Sequence, residues 1–230
     1  MTAAPGLLPF LRLVQAVDSG FPTGGYAFSH GLEWLHHAGL LAGEVAVASA
    51  LDGYLDQVIA GQAFPAAMGA ARARSERALC RWDTVLDASI AAEAERNGGR
   101  AMGERLLVGA LDAFGGARTA AFLDGIRSGR SPGQYAIAFG VVAADAAVPE
   151  DLMLAGLGMA MSAAMAQVAV RLGAIGQAAG TRVVAAVAPA VEARVQQALA
   201  REPRPPGAWL PGLELAALLQ PAMHYRMFAS

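Results

Sequence analysis

A chain of 230 residues with 17 basic and 19 acidic side chains, net charge −2, carries no electrostatic footprint for a nucleic-acid partner. Its length suits one sizeable helical domain, and its single cysteine, Cys80, excludes an intramolecular disulfide framework and a CxxC redox or zinc motif while fitting a reducing cytosol. The hydrophobic fraction of 55% is high, so a membrane-embedded bundle stands against a soluble one with a buried subunit interface.

In chain order, Met1 to Val17 is apolar without a basic leader, which predicts a helix rather than a secretory signal. Asp18 to Glu33 follows and is too specific in its turn chemistry for generic loop or helix. Pro22 forces Phe21 towards extended backbone, and Gly24 and Gly25 permit positive φ and close approach of another surface. A helix entered near Ala27 would put His30, Glu33 and His37 at i, i+3 and i+7 on one face, a spacing that could hold a transition metal. The plain alternative is a polar helical surface with histidines by chance. The corner itself reads equally as a packed turn for Phe21 and Phe28 or as a recognition site presenting Tyr26.

Val47, Leu51, Tyr54, Leu55, Val58 and Ile59 then recur at helical spacing, as do Met102, Leu106, Leu107, Leu111 and Phe114, and later Val184, Val187, Val191, Val195 and Leu199. No run alternates with period two, so strands are not expected. Breaks are predicted at Gly20–Gly25, Gly61–Pro65, Asn97–Gly99, Gly129–Gly133, Pro149 and Pro203–Gly212. Asp52 and Asp56, and Asp83 and Asp87, read as solvated pairs. Arg72, Arg74, Arg77 and Arg81 read as a solvated helix side, or as a loose basic contact for an acidic partner. Leu152 to Val170 is long enough to span a bilayer, but its apolarity rests on Ala, Met and Gly and includes Ser162 and Gln167. It is expected to be a helix buried all round at the centre of a bundle. Gly173 to Gly180 follows a helix and lacks a GK[ST] ending, so it reads as a break with close packing rather than a phosphate cradle.

These signals predict an all-α, single-domain helical bundle of about eight to ten helices over residues 1–202. Residues 203–230 form a proline-rich linker and a C-terminal tail whose Tyr225, Arg226 and Phe228 resemble interface anchors. No Walker lysine, nucleophile elbow or HExxH motif is present.

Phe21 to Glu33, preceded by Leu13 to Asp18, resembles the N-terminal signature of the UreF family of urease accessory proteins. Gln134 to Gly140 is similar to the family's His-Tyr-Pro-Val-Ala-Phe-Gly segment. Val170 to Gly180 is similar to its Arg-Leu-Gly-x-Leu-Gly-Gln-Thr-Asp-Gly run, and Arg226 to Ser230 to its Arg-Leu-Phe-x-Ser ending. The resemblance implies a cytoplasmic all-α homodimer without enzymatic activity or cofactor. It implies a protein that bridges UreD (UreH) and the nickel-carrying GTPase UreG on the urease apoprotein, modulates GTP hydrolysis and helps deliver nickel. By the same resemblance, Tyr26 and Arg226 contact UreG with Glu33 as a third contact, Phe21, Pro22, Gly24 and Gly25 shape the corner, and a tail including Tyr225, Phe228 and Ser230 docks on UreD. The chain departs from the pattern at Gln134, Ala136, Ala178, Ala179, Gln220 and Pro221, and Pro221 would interrupt a terminal helix. A small metal-binding protein or enzyme using His30, Glu33 and His37 is the competing reading.

Overall fold

The computed structural model describes residues 6–208 and 210–229, and all regular structure among them is helical. In order run α1 (Leu7–Val17), a 3-10 turn (Gly25–Ala27), α2 (Leu32–His37), α3 (Gly43–Tyr54), a π-helical stretch (Leu55–Ala63) and α4 (Phe64–Arg72). Then come α5 (Glu76–Ser89), α6 (Glu93–Phe114), α7 (Ala117–Arg127), α8 (Tyr135–Asp145), α9 (Glu150–Arg171) and α10 (Gln177–Leu199). The last regular elements are α11 (Pro211–Leu219) and a 3-10 turn (Gln220–Ala222). The α3, π and α4 segments follow one another without a break, so the expected all-α bundle is the observed fold.

The helix buried on every side is α8, not α9. Every residue from Ala136 to Ala143 is buried, because Tyr135–Asp145 has no charged side chain before its last residue and must be covered all round. Helices α4, α6 and α7 supply that cover. Among the described residues, α9 is the one helix long and apolar enough to cross a membrane, and half of its most apolar stretch is buried inside the bundle. It lies against α10, α1, α3 and α4, with Ala164 and Gln167 on an open side. The expectation that Leu152 to Val170 is enclosed all round is corrected accordingly.

Contact between α4 and α8 is backbone to backbone. A Cβ built on Gly140 would stand 2.3 Å from the Ala67 carbonyl oxygen. Gly140→Ala is therefore expected to destabilise by about 1–3 kcal/mol, although alanine is the better helix former by about 1 kcal/mol. Urea unfolding reads this directly, and an unchanged midpoint would mean that the two helices separate at little cost.

Two expected breaks are absent. Asn97 to Gly99 lies inside α6, where the glycines admit neighbours: a Cβ at Gly98 would meet the Phe28 ring at 2.8 Å, and one at Gly99 the Gln134 amide oxygen at 2.0 Å. Gly61 to Pro65 is helical throughout, because the π-helical stretch runs directly into α4 and the bond that Pro65 cannot donate to the Gly61 carbonyl is replaced from outside the helix. The Gly61 carbonyl accepts from the Gly207 N–H at 3.0 Å, tying the proline-rich segment to the π-helical stretch. That segment leads into α11, which begins at Pro211 and packs on α2.

The reading of Asp83 and Asp87 as solvated is also overturned. Asp83 is 0% exposed and accepts from the Gly133 N–H at 2.6 Å, the Ser131 hydroxyl at 2.7 Å and the Gln134 N–H at 2.9 Å. It ties the loop before α8 to α5. Asp87 takes both arms of the Arg100 guanidinium at 2.6–2.7 Å and the Gln134 amide at 2.8 Å. Burial alone would raise the Asp87 pKa, but these donors hold it below its ordinary value.

Candidate functional site: the aromatic corner and the returning tail

The corner is built on α6. Phe21 stacks on Phe114 with ring centres 6.2 Å apart, and the Arg12 guanidinium lies 5.9 Å from the Phe114 ring centre. Gly24 takes φ 73°, a left-handed conformation that favours glycine, and a Cβ there would displace the Arg105 guanidinium, whose Nη1 lies 2.2 Å from its position. Gly25 rests on the Met102 side chain and opens the 3-10 turn that carries Tyr26. The Tyr26 side chain is 75% exposed, while its carbonyl accepts from the Arg171 guanidinium at the end of α9.

The expected helix from Ala27 does not form. His30 has φ 53° and Gly31 φ 81°, so α2 begins only at Leu32. The cause is non-local. His30 Nδ1 lies 2.5 Å from Glu95 Oε2 on α6, and a Cβ on Gly31 would come within 2.8 Å of the Leu213 carbonyl on α11. With that start the i, i+3, i+7 premise for a metal face fails, because His30 precedes the helix. Among the described residues no cluster of three His, Cys, Asp or Glu is placed to hold an ion. Burial of His30 opposes its protonation, but the Glu95 carboxylate outweighs it and raises the pKa above the ordinary value. The resulting stabilisation is complete below the ordinary histidine pKa and lost as pH rises through the folded one.

Glu33 is the centre of the site, and it faces inward. It is 4% exposed, and its carboxylate accepts from the Gln220 amide at 2.9 Å, from the Met227 N–H and from the Phe228 N–H at 3.3 Å. Gln220 in turn accepts from the Ser29 hydroxyl at 2.8 Å, so one buried amide joins corner and tail as donor and acceptor. The Ala229 N–H donates to the Ala27 carbonyl at 2.7 Å. Phe228 is buried beneath the Arg171 guanidinium, 4.4 Å from its ring centre. Pro221 ends α11 and turns the chain through a 3-10 turn towards these contacts.

The structure thus brings the N-terminal corner and the C-terminal tail together. Tyr26 projects from one side of the junction, and Tyr225, Arg226 and Met227 are exposed on the other. Phe21, Pro22, Gly24 and Gly25 lie beneath as its support. Glu33 and Phe228 are internal to the clasp, His37 is at the far end of α2, and Ser230 lies outside the described residues. Sequence reasoning missed Arg171 and Gln220, although the first sits inside a quoted motif and the second at a noted departure. It also missed α1, where Leu7, Leu8, Phe10, Leu11 and Val14 are exposed while Leu13 and Ala16 face the bundle. An eleven-residue helix with only Arg12 charged has more apolar surface than one face can bury.

A family model described as UreF matches residues 41–188. The chain is 31% identical over 220 residues to the urease accessory protein UreF of Paenarthrobacter aurescens (strain TC1), covering 96% of this chain and 97% of that one. It is 32% identical over 238 residues to UreF of Methylobacterium radiotolerans, covering 97% of each. With UreF of Bacillus sp. (strain TB-90) it shares 28% identity over 223 residues, 96% of this chain and 98% of that one.

Proposed function

We propose that this chain, which belongs to the UreF family of urease accessory proteins, is a non-enzymatic adaptor in urease maturation that bridges UreD (UreH) and the GTPase UreG. The observation that supports the reading is the return of the tail to the aromatic corner, with Tyr26 exposed on the corner and Arg226 exposed on the tail that docks against it. An exposed phenol and a fork-shaped cation on a scaffolded turn suit a polar, GTPase-facing contact. Residues 203–230 act as the partner-binding tail, with Leu215, Leu218 and Leu219 of α11 and Tyr225 offering exposed apolar area to UreD. The apolar stripe of α1 supports assembly into a homodimer and the larger complex on the urease apoprotein. In this reading the protein works in the cytoplasm, modulates GTP hydrolysis by UreG during nickel insertion and holds no cofactor of its own. Glu33 serves the UreG contact from beneath, by placing the tail rather than by touching the partner.

Tyr26→Ala and Arg226→Ala are each expected to cut co-purification with UreG at least about tenfold, the loss typical of a truncated interface anchor. Circular dichroism should stay helical, because neither side chain enters the core. UreG retained at the wild-type level by both variants would overturn the assignment.

A further inference from the structure

Residues 27–33 are held from two sides. On one side they meet α11 and the tail. The Ala27 carbonyl accepts from the Ala229 N–H at 2.7 Å, and the Ser29 hydroxyl donates to Gln220 at 2.8 Å. Gly31 lies against α11, where an added Cβ would come within 2.8 Å of the Leu213 carbonyl and 3.0 Å of the Ala217 N–H, and Glu33 binds Gln220, Met227 and Phe228. On the other side the strip meets α6. The Phe28 ring fills the space over Gly98, and His30 Nδ1 lies 2.5 Å from Glu95 Oε2, one turn earlier on that helix. Residues 27, 29, 31 and 33 thus engage the C-terminal segment, and 28 and 30 engage the bundle.

His30 holds φ 53°, a left-handed conformation that is costly for a side chain and persists only where its surroundings impose it. Its side chain is 25% exposed, so the imidazole can exchange its proton with solvent. From α6 it faces Glu95, while the neighbouring Arg96 guanidinium is turned to the carbonyls of Ile90 and Ala91. From α3 comes Tyr54, its ring centre 5.8 Å away, with Tyr135 of α8 acting on Tyr54 in turn. Burial pushes both phenols up, Tyr54 furthest and Tyr135 to about 12, so neither titrates near neutrality. Helix α2 contributes Glu33, already bound to the tail, and α11 contributes Glu214, held on the Leu210 N–H. The tail itself carries His224 and Arg226, both exposed.

We propose that the His30–Glu95 contact is a pH-sensitive latch on the C-terminal tail. The protonated imidazole, held on Glu95, fixes residues 27–33 in the shape that receives α11 and the tail. Loss of that proton slackens the strip, and the tail undocks more readily. The linkage runs both ways: a docked tail presses the strip onto α6 and keeps His30 beside Glu95, so docking and proton uptake favour each other. Burial opposes the charged imidazole, but the Glu95 carboxylate raises the His30 pKa above its ordinary value in the docked protein. The latch is therefore fully closed below the ordinary histidine pKa and opens as pH rises through the raised one. Because the tail carries Arg226, the same change governs contact with UreG. Only that consequence rests on the adaptor reading, and docking is read in the chain alone, so the two fail separately.

The test is amide exchange at Met227 and Phe228 in the full chain from about pH 6 to about pH 9, corrected for the intrinsic rise of exchange with pH, beside an NMR titration of the His30 imidazole. Protection is expected to fall about threefold or more across the range, and by no more than about tenfold per pH unit, as one linked proton allows. His30→Asn, which keeps a residue tolerant of left-handed backbone, and Glu95→Gln should each flatten this dependence, while His224→Gln should leave it in place. In Glu33→Ala, whose tail is expected to be free, the His30 pKa should drop towards its ordinary value. Flat protection in the unsubstituted chain, a slope that survives in either His30→Asn or Glu95→Gln, or a slope lost in His224→Gln would overturn the proposal. So would an unchanged His30 titration in Glu33→Ala once Met227 and Phe228 have lost their protection.

Discussion

Glu33→Ala is expected to undock the C-terminal tail while the bundle stays folded. Amide exchange at Met227 and Phe228 should accelerate about a hundredfold, and UreG should no longer co-purify. The magnitude follows from opposing terms. Hydrogen bonds to a buried carboxylate contribute about 1.5–3 kcal/mol each, and its removal strands the Gln220 amide and the Met227 and Phe228 N–H groups. What then remains is burial of Phe228, worth about 1.5–3 kcal/mol, its contact with Arg171, about 1 kcal/mol, and one backbone bond from Ala229 to Ala27, about 1 kcal/mol. Ordering residues 223–229 costs about 7 kcal/mol even at 1 kcal/mol per residue, so these contacts alone do not hold the tail. Glu33→Gln should fall between, since its amide oxygen can still accept but its NH₂ group faces donors. Wild-type exchange at Met227 and Phe228 in Glu33→Ala would mean that the tail is held by something other than this carboxylate.

Where sequence reasoning succeeded and failed has one physical origin. Periodicity is local, and it placed the stripes of α3, α6 and α10 because each helix needs one apolar face wherever it packs. The start of α2 is not local. His30 and Gly31 leave helical geometry because Glu95 lies across the site and α11 presses on the backbone, and neither neighbour is visible within a window around Ala27. Glycine misled in the same way at Gly98 and Gly99, where its lack of a side chain admits Phe28 and Gln134 rather than ending a helix. Glu33 was legible as part of the corner only through the family motif, since its spacing with His30 and His37 pointed to a metal face instead. Its inward direction depends on a tail that joins it from 187 to 195 residues away.

Asp83 was legible in its own stripe, since it lies four residues after Leu79 and three before Leu86, both buried. A carboxylate on a buried stripe must find donors, and it takes three from the loop before α8. Asp83→Ala is expected to cost about 3–5 kcal/mol, a large share of the 5–15 kcal/mol of a typical domain, because it leaves two backbone N–H groups and a hydroxyl unpaired. Its pH dependence has a definite sign. Burial raises the Asp83 pKa, only partly offset by Gly133, Ser131 and Gln134, with the nearby Asp87 charge adding to the rise. The native state therefore binds this proton more tightly than the unfolded chain, so its contribution to stability falls as pH rises from the ordinary carboxylate pKa through the folded value. Asp87, lowered by Arg100 and Gln134, runs the other way and loses its contribution as pH falls through its folded pKa. Removing Asp83 leaves the acid-side loss at Asp87 unopposed. The penalty of Asp83→Ala should thus be larger near about pH 4 than near about pH 7 in urea unfolding of both proteins. A penalty that grows with pH instead would show that the three donors stabilise the ionised carboxylate more than burial opposes it.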